Sequence, residues 1–286
     1  SARTVSNMPP NSSPMFQPLT GLYEPSAIQQ LADGRFLVVE DEKRHPFSLV
    51  TISAAGSVNS SPLLPPEQAD DAVWKLNDLE ALALDPAGHV YALTSHSRNE
   101  DGEEKKSRDK LVRFRIAGER MTEPLLAKGL KPALVAAHPV LAAAAEIRDV
   151  KSQGGLNIEA LEIGADGQQL LIGLRSPLLD TRAIIACVEN PAAMFEAGDA
   201  PRIAPRLITL DLGGDGIRAL SYIPAPRGYL VVSGPAAREQ VQFKLWFWSG
   251  RHGEPARPVS VAGLQGFEHA EGVSPAVIDG QQRISI

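Results

Sequence analysis

The sequence repeats one short unit five times between its two ends. Each copy has an apolar segment, a tight turn with glycine, and a second apolar segment that ends in polar or charged residues. The clearest copy spans 157–177, with its turn at Asp166 and Gly167. Two apolar segments joined by an Asp-Gly pair are the strongest short-range sign of a β-hairpin. The chain is therefore predicted to be assembled from hairpins.

The spacing of the copies predicts a β-propeller. Successive copies open 56, 79, 59 and 53 residues apart, which leaves room for four strands in each. Such a period, with several short strands per repeat, is typical of propeller blades rather than of helical solenoids. We place third strands at 47–53, 111–116, 183–188 and 243–248, and fourth strands at 73–76, 121–126, 206–210 and 258–261.

The two ends of the chain complete one another in this scheme. The last copy stops after two strands, whereas an apolar segment at 16–19 precedes the first copy. We expect the N-terminal segment to complete the final blade and close the ring, which leaves no open sheet edge. The predicted fold class is thus all-β, one propeller domain over 1–286 with five four-stranded blades. A sixth, irregular blade is the alternative.

One segment breaks the repeat. Residues 124–151 are rich in alanine and leucine, which indicates a helical insertion of two short helices divided near Pro139. The insertion explains the interval of 79 residues between two of the copies. Segments 54–71 and 98–110 are expected to be long surface loops, the second of them highly charged.

A ring would bring one residue of each copy to a common axial opening. First strands of blades line the channel, and strands alternate in direction, so that first-strand starts and second-strand ends share a face. Several carboxylates at one opening raise one another's pKa or bind a cation, and Ca²⁺ with oxygen ligands meets that need. We therefore predict a Ca²⁺ site made by Glu24, Glu80, Glu159 and Glu271, the opening residues of four copies, with Arg218 opening the remaining one. The alternative to the metal ion is a substrate with both cationic and anionic parts.

Second-strand ends add His96 and Arg175 to this face. Arg175 and Arg218 are suited to a two-point grip on a carboxylate or phosphate, and His96 is the candidate base because imidazole titrates near neutral pH. The sequence thus predicts a metal-dependent hydrolase of a phosphoester, ester or lactone, with His96, Arg175 and Arg218 as catalytic residues and a small anionic molecule as substrate.

Two alternatives to this function stay open. The same face could serve a non-catalytic propeller that binds a small ligand or a protein. The repeated glutamates could instead have a structural role, in which each accepts backbone N–H bonds from the neighbouring blade and holds the ring together.

Composition narrows the partners and the compartment. The net charge of -6 argues against nucleic acid as a partner. The longest apolar stretch, 135–145, is interrupted by His138 and Pro139, so no membrane span is expected. The single cysteine, Cys187, is expected to be a small buried hydrophobe. We expect a soluble protein of the bacterial cytoplasm, or of the periplasm or medium after signal removal, since the chain starts at Ser1 rather than Met.

Motifs within this pattern resemble a known family. The segments 155–161 and 171–177, together with 94–97 and 107–114, are similar to an uncharacterised bacterial family known only as a domain of unknown function. This resemblance spans most of the chain and implies a propeller-like fold without a settled activity. The repeated glutamate is more distantly similar to esterase-like phytases and lactonase-type, gluconolactonase-like propellers, which implies Ca²⁺ at the axial opening. Arg218 departs from that pattern.

Overall fold

The structure is a computed structural model. It describes residues 27–39, 45–68, 70–237 and 242–260, together with the backbone of four strands near the chain ends. The strands are β1 (Arg3–Ser6), β2 (Phe16–Pro18), β3 (Ala27–Gln30), β4 (Phe36–Val39), β5 (Phe47–Ile52), β6 (Val58–Pro62), β7 (Leu79–Leu84), β8 (Val90–Thr94), β9 (Leu111–Ala117), β10 (Arg120–Ala127), β11 (Asn157–Ile163), β12 (Leu170–Ser176), β13 (Ala183–Val188), β14 (Ile208–Leu210), β15 (Gly216–Pro224), β16 (Arg227–Gly234), β17 (Lys244–Trp248), β18 (Arg257–Pro258), β19 (Ser274–Ile278) and β20 (Gln281–Ser285). The helices are α1 (Asp71–Trp74), α2 (Leu130–Ala137), α3 (Pro139–Ala145), α4 (Val150–Gln153) and α5 (Pro191–Ala197), with a 3-10 turn at Lys106–Arg108.

Four-stranded antiparallel sheets make up the molecule. Four of them follow the chain in order, as β3–β6, β7–β10, β11–β14 and β15–β18. Their first strands lie side by side around an axis. Every residue of β11 and of β13 is buried, because neighbouring sheets cover both faces of the strands between them. The prediction of an all-β propeller with four-stranded blades is confirmed.

The number of blades needs a distinction. Four blades, rather than five or six, are described with their side chains. A further four-stranded sheet, β19–β20–β1–β2, joins strands from the two chain ends, and for it the structure describes only the backbone. In this sheet β1 pairs with β20 and β2 pairs with β1. The N-terminal strands therefore occupy the two outer positions beside the C-terminal hairpin, as the sequence predicted.

The fourth strand of the first described blade was predicted wrongly. It is β6, inside the segment 54–71 that we expected to be a loop. Residues 71–74, which overlap the predicted strand 73–76, form α1. The Asp70 carboxylate caps the start of this helix by accepting the N–H of Ala72. The sequence of β6 is polar because this outermost strand is mostly solvent-facing, and the apolar pattern that identifies inner strands is therefore missing.

The helical insertion is confirmed, with shifted bounds. Strand β10 continues to Ala127, so the helices begin at Leu130, and α4 ends at Gln153. The division at Pro139 is as predicted, since Pro139 is the first residue of α3. Leu134 and Leu141 are fully buried and pack in the same core cluster as Ile158 of β11. The insertion is therefore an integral wall of the molecule near the start of β11.

The charged segment 98–110 is a loop with one 3-10 turn, and it is fastened to the insertion. The Arg98 Nε donates to the Ala145 carbonyl at 3.1 Å, and Lys131 forms an ion pair with Glu104 at 3.0 Å. The free Cys187 is buried in β13, as predicted. Across the described parts of the chain, no helix has both the length and the apolar character that a membrane crossing requires.

Candidate functional site

The repeated opening residue occupies a β-bulge in three successive blades. In the pairing of β7 with β8, Leu79 and Ala81 have partners and Glu80 is the extra residue between them. Glu159 is the extra residue between β11 and β12, and Arg218 the extra residue between β15 and β16. A bulge turns one side chain out of the regular alternation, and bulges are common beside functional sites. The bulges direct equivalent side chains of three blades to one end of the channel.

A cavity of about 620 Å³ lies at this end of the channel. Glu80, Glu159 and Arg175 line it, together with Asp78 and Asn157. Its outer walls come from the start of the charged loop, 98–100, and from the end of the insertion, 148–152. We call it the axial cavity. The structure thus places Glu80, Glu159 and Arg175 at one opening.

Glu159 forms two ion pairs with arginines of two different blades. Its Oε1 accepts from Arg175 Nη1 at 3.3 Å and its Oε2 from Arg218 Nη1 at 3.2 Å. Glu159 and Arg218 are both more than nine-tenths buried. Arg218 also lies over the ring of Phe243, with its Cζ 5.3 Å from the ring centroid. The group of Glu159, Arg175 and Arg218 carries a formal charge of one positive unit, and Glu80 lines the same cavity outside this group.

A third ion pair lies at the same rim. The Arg108 Nη2 donates to Asp78 Oδ2 at 2.7 Å and to the Ser97 hydroxyl at 2.8 Å. Asp78 has a φ of 60° and His96 a φ of 55°. Non-glycine residues in this left-handed region are uncommon, and such strain is concentrated at functional sites. Asp78 lines the axial cavity just before β7, whereas His96 follows β8 and lies outside the lining.

The structure does not bring His96 to the cavity. Its side chain is buried, is absent from the cavity lining, and has Nδ1 2.9 Å from the Thr94 carbonyl oxygen. Burial lowers the pKa of His96 to about 4, with a further lowering from the charge of Lys131. The prediction of His96 as a base facing the ligand was therefore wrong in its placement. The imidazole is held inside the protein by its contact with the Thr94 carbonyl oxygen.

Of the four glutamates in the predicted Ca²⁺ site, the structure describes two, Glu80 and Glu159. Glu24 and Glu271 lie outside the described residues, and no set of three or more Asp, Glu, His or Cys side chains in the described residues is arranged to hold a metal ion. Glu159 as it stands does not fit the role of a Ca²⁺ ligand, because the ion would have to displace guanidinium groups from both of its oxygens. Glu80 lines the cavity and has interactions of its own.

A hydrogen bond from a backbone N–H of the neighbouring blade to a carboxylate was the alternative, structural role of the repeated glutamates. In the structure a different residue, Glu162, makes this bond. Glu162, three positions after Glu159, accepts the backbone N–H of Tyr222 in the next blade at 2.9 Å. Its other oxygen accepts the N–H of Ile163 at 2.7 Å. Burial raises the pKa of Glu162 to about 7, while these two hydrogen bonds act to lower it. In the sequence, Glu162 appears only as a second glutamate of the same strand, three residues after Glu159.

A comparison with known protein families identifies the family of this chain. The model of a family described as a protein of unknown function (DUF3616) matches residues 66–275, which is well over half of the chain. The chain belongs to this family. The membership predicted from the motifs is thereby confirmed, and the match includes Glu80, Glu159, Arg175 and Arg218. No curated protein matches the chain in sequence.

Solved structures with a similar fold are distant in sequence. A PQQ-bound aldose sugar dehydrogenase from Streptomyces coelicolor is 13% identical, with a TM-score of 0.44 and coverage of 93% of this chain and 94% of that one. A putative oxidoreductase (glucose dehydrogenase) from Thermus thermophilus is 16% identical, with a TM-score of 0.42 and coverage of 93% and 96%. Hydrazine synthase of Kuenenia stuttgartiensis is 12% identical, with a TM-score of 0.37, and 84% of this chain spans 50% of its length. Nothing about activity follows from these likenesses.

Proposed function

We propose that the protein binds a small polar molecule with a carboxylate or phosphate group in the axial cavity. The observation that carries this proposal is the position of Arg175. It lines a cavity of about 620 Å³ and belongs to a buried group in which two arginines share one glutamate. A cavity of this size suits a small organic ligand.

The charge balance favours an anion beside Arg175. Glu159 neutralises one of the two guanidinium groups around it, which leaves one positive charge on this group of three side chains. Glu80 lines the same cavity and has interactions of its own. An anion beside Arg175 is attracted by the charge of its guanidinium group. Arg175 meets Glu159 through Nη1, and its Nε has no hydrogen-bond partner among the described residues. Guanidinium groups bind carboxylates and phosphates through pairs of parallel N–H bonds. Arg175 is thus suited to hold the anionic end of a ligand.

The rest of the lining favours a polar ligand body. Asp78 and Arg108 neutralise each other, and Asn157 and Ser97 add neutral hydrogen-bonding groups. The outer walls carry charges of both signs, such as Arg148 and Asp149. Hydroxyl groups of a ligand would find donors and acceptors around most of the cavity. A sugar acid or a sugar phosphate has this combination of one anionic group and several hydroxyls.

Hydrolysis of such a molecule is a separate prediction. A Ca²⁺-dependent hydrolase of a phosphoester, ester or lactone requires the full set of Glu24, Glu80, Glu159 and Glu271, and it requires that Glu159 give up its arginine partners. Binding without turnover requires only the contacts of the described residues. We therefore rank binding first and test metal dependence alongside it.

We also propose that the sheet formed by the chain ends is a fifth blade. Its strand β19 lies next to both β3 and β15, the first strands of the first and fourth described blades. Closure by this sheet would remove the open edge of the ring. It would also place the fifth repeat beside the other four at the axial cavity.

The test is calorimetric titration with phenyl phosphate, gluconate and glucose 6-phosphate. We expect at least one of them to bind the wild-type protein, and Arg175→Gln to weaken that binding by about 10-fold to 100-fold, since a charge-assisted pair is lost. Arg206→Gln removes an exposed arginine that is absent from the cavity lining and serves as the matched control, with unchanged affinity. Circular dichroism confirms that each variant is folded.

Equal affinity in the wild type and in Arg175→Gln would overturn the proposal, as would the absence of binding by all three compounds. Whether the protein is a Ca²⁺-dependent hydrolase is tested separately. Thermal unfolding with Ca²⁺ and with EDTA, together with release of nitrophenol from p-nitrophenyl phosphate, distinguishes the hydrolase from the binding protein. A Ca²⁺-dependent shift with turnover would favour the hydrolase, and neither effect would favour binding alone.

A further inference from the structure

A second cavity, of about 410 Å³, opens at the opposite end of the channel. It lies among the turns that join first and second strands, and four blades contribute to it, with Gln29, Leu84, Ile163 and Tyr222 among its lining. A narrow passage lined by residues such as Ala160 separates it from the axial cavity. We call it the turn-face cavity. It is distinct from the site of the proposed function, and the inference drawn from it does not depend on that function.

The lining of the turn-face cavity is mainly apolar, with a buried carboxyl group at its wall. Leu84, Pro86, Ile163 and Ala165 supply apolar surface. Glu162 is 8% exposed and is one of the residues that line the cavity. Each oxygen of Glu162 accepts one backbone N–H, from Ile163 and from Tyr222. A carboxylate has about four acceptor positions, so these bonds fix its orientation without using its full capacity.

The aromatic residue Tyr222 lines the same cavity. Tyr222 is half-buried, and its ring is held by an edge contact with Tyr229, with centroids 5.4 Å apart. Asp85 and Asp166 add two more carboxyl groups to the lining, and no Lys, Arg or His lines this cavity within the described chain. Apolar walls, an aromatic ring and a buried carboxyl group are the features that recognise an organic ammonium ion.

We propose that the turn-face cavity binds a small organic amine in its ammonium form, with Glu162 as its counter-ion and Tyr222 as its aromatic wall. The apolar part of the amine lies against Leu84 and Ile163, where water is displaced. The ammonium group donates to the open acceptor positions of Glu162. The acidic rim of Asp85 and Asp166 attracts the cation without directly determining its position.

Proton exchange provides a specific signature. An ammonium ion beside Glu162 favours its ionised form, so binding near pH 7 should release protons from Glu162, whose pKa burial raises to about 7. The other titratable groups around Glu162 are Tyr222, Tyr229, Asp166 and Asp85, the last in contact with His89 at 2.9 Å. Burial raises the pKa of Tyr229 further above neutrality, so Tyr229 stays protonated.

The probe is phenethylamine, with 2-phenylethanol as the neutral compound of the same shape. Calorimetric titration of the wild-type protein at pH 7, in two buffers of different ionisation enthalpy, measures both affinity and proton release. We expect the amine to bind at least about 10-fold more tightly than the alcohol, with proton release. Glu162→Gln should abolish the proton release and weaken amine binding by about 10-fold or more. Glu119→Gln, at an exposed turn outside the cavity lining, is the matched control and should change neither.

Equal affinity for amine and alcohol, no binding of the amine, or full amine binding by a folded Glu162→Gln protein would each overturn the proposal. Asp166→Asn keeps the test available if Glu162→Gln does not fold, because Asp166 is exposed. It should weaken the amine about 2-fold to 5-fold and leave the alcohol unaffected, as expected for a nearby charge without direct contact. An equal effect on both compounds would contradict an electrostatic role.

Discussion

Glu162 and His96 should affect the stability of this propeller in opposite directions as pH changes. Burial disfavours the ionised carboxylate of Glu162 in the folded state and raises its pKa from 4.5 to about 7. A pKa raised on folding gives a contribution that is fully present below the unfolded value, declines as pH rises, and is lost above the folded value. Each pH unit between the two values is worth about 1.4 kcal/mol. Glu162 should therefore remove about 3 kcal/mol from the unfolding free energy between pH 4.5 and 7.

His96 largely conceals this effect in the wild-type protein. Burial lowers its pKa from 6.5 to about 4, so its contribution is present above pH 6.5 and is lost as pH falls toward 4. The magnitude is again about 3 kcal/mol by the same conversion, and the two windows overlap between pH 4.5 and 6.5. The wild-type curve should consequently be nearly flat there. The contribution of each residue is visible only as a difference from a variant that does not titrate.

Urea unfolding, followed by the fluorescence of Trp74, Trp246 and Trp248 between pH 4.5 and 8, measures these differences. At pH 4.5 Glu162→Gln should be less stable than the wild type by about 1–3 kcal/mol, since its amide NH₂ cannot accept the backbone N–H that a carboxyl oxygen accepts. By pH 7–8 the wild type should have lost its advantage. His96→Asn, which tolerates a φ of 55°, should show the mirror-image trend.

A constant difference between the wild type and Glu162→Gln across this range would refute the reasoning. It would mean that the two backbone hydrogen bonds to Glu162 fully offset the effect of burial on its ionised form. The mirror trend in His96→Asn serves as the internal check, because both variants are measured under the same conditions.

Three further predictions concern contacts between blades. Gly173→Ala should lower the unfolding free energy by about 1–3 kcal/mol, since its Cβ would lie 2.8 Å from Ala160 Cβ and from Ile217 Cγ2. An unchanged urea midpoint would show that the third and fourth described blades move apart at little energetic cost. Arg218→Met should cost about 3–5 kcal/mol by leaving buried Glu159 with one partner, and a loss below about 1 kcal/mol would mean that Glu159 is well hydrated. Deletion of residues 1–19 removes β1 and β2 and should lower the melting temperature strongly, whereas an intact melting temperature would contradict closure by the chain ends.

The propeller could be predicted from the sequence because the apolar pattern of its inner strands repeats once per blade. Segments such as 157–163 are buried on both faces, and their apolar runs and glycine turns recur at blade spacing. The outermost strands carry no such signal. Strand β6, with the sequence Val-Asn-Ser-Ser-Pro, is solvent-facing on most of its residues. Its place in the first described blade is decided by pairing with β5, a contact that local pattern does not encode.

The candidate site was predictable as a location and not as chemistry. Equivalent positions in a repeat meet at one end of the channel, so Glu80, Glu159 and Arg175 were found by alignment alone. The pairing of Glu159 with two arginines was not, because it depends on the bulges that set side-chain direction. Counting charges per copy predicted an acidic opening, whereas in the structure the charge of Glu159 is offset by two arginines.

The central claim is that the axial cavity holds an anion against Arg175. A crystal structure of the protein soaked in selenate tests it most directly, since the anomalous signal of selenium locates each bound ion. The account predicts a selenate ion in the axial cavity within hydrogen-bonding distance of the Arg175 guanidinium, and none there in Arg175→Gln. Selenate bound only elsewhere on the surface, or an unchanged ion in the variant, would contradict it.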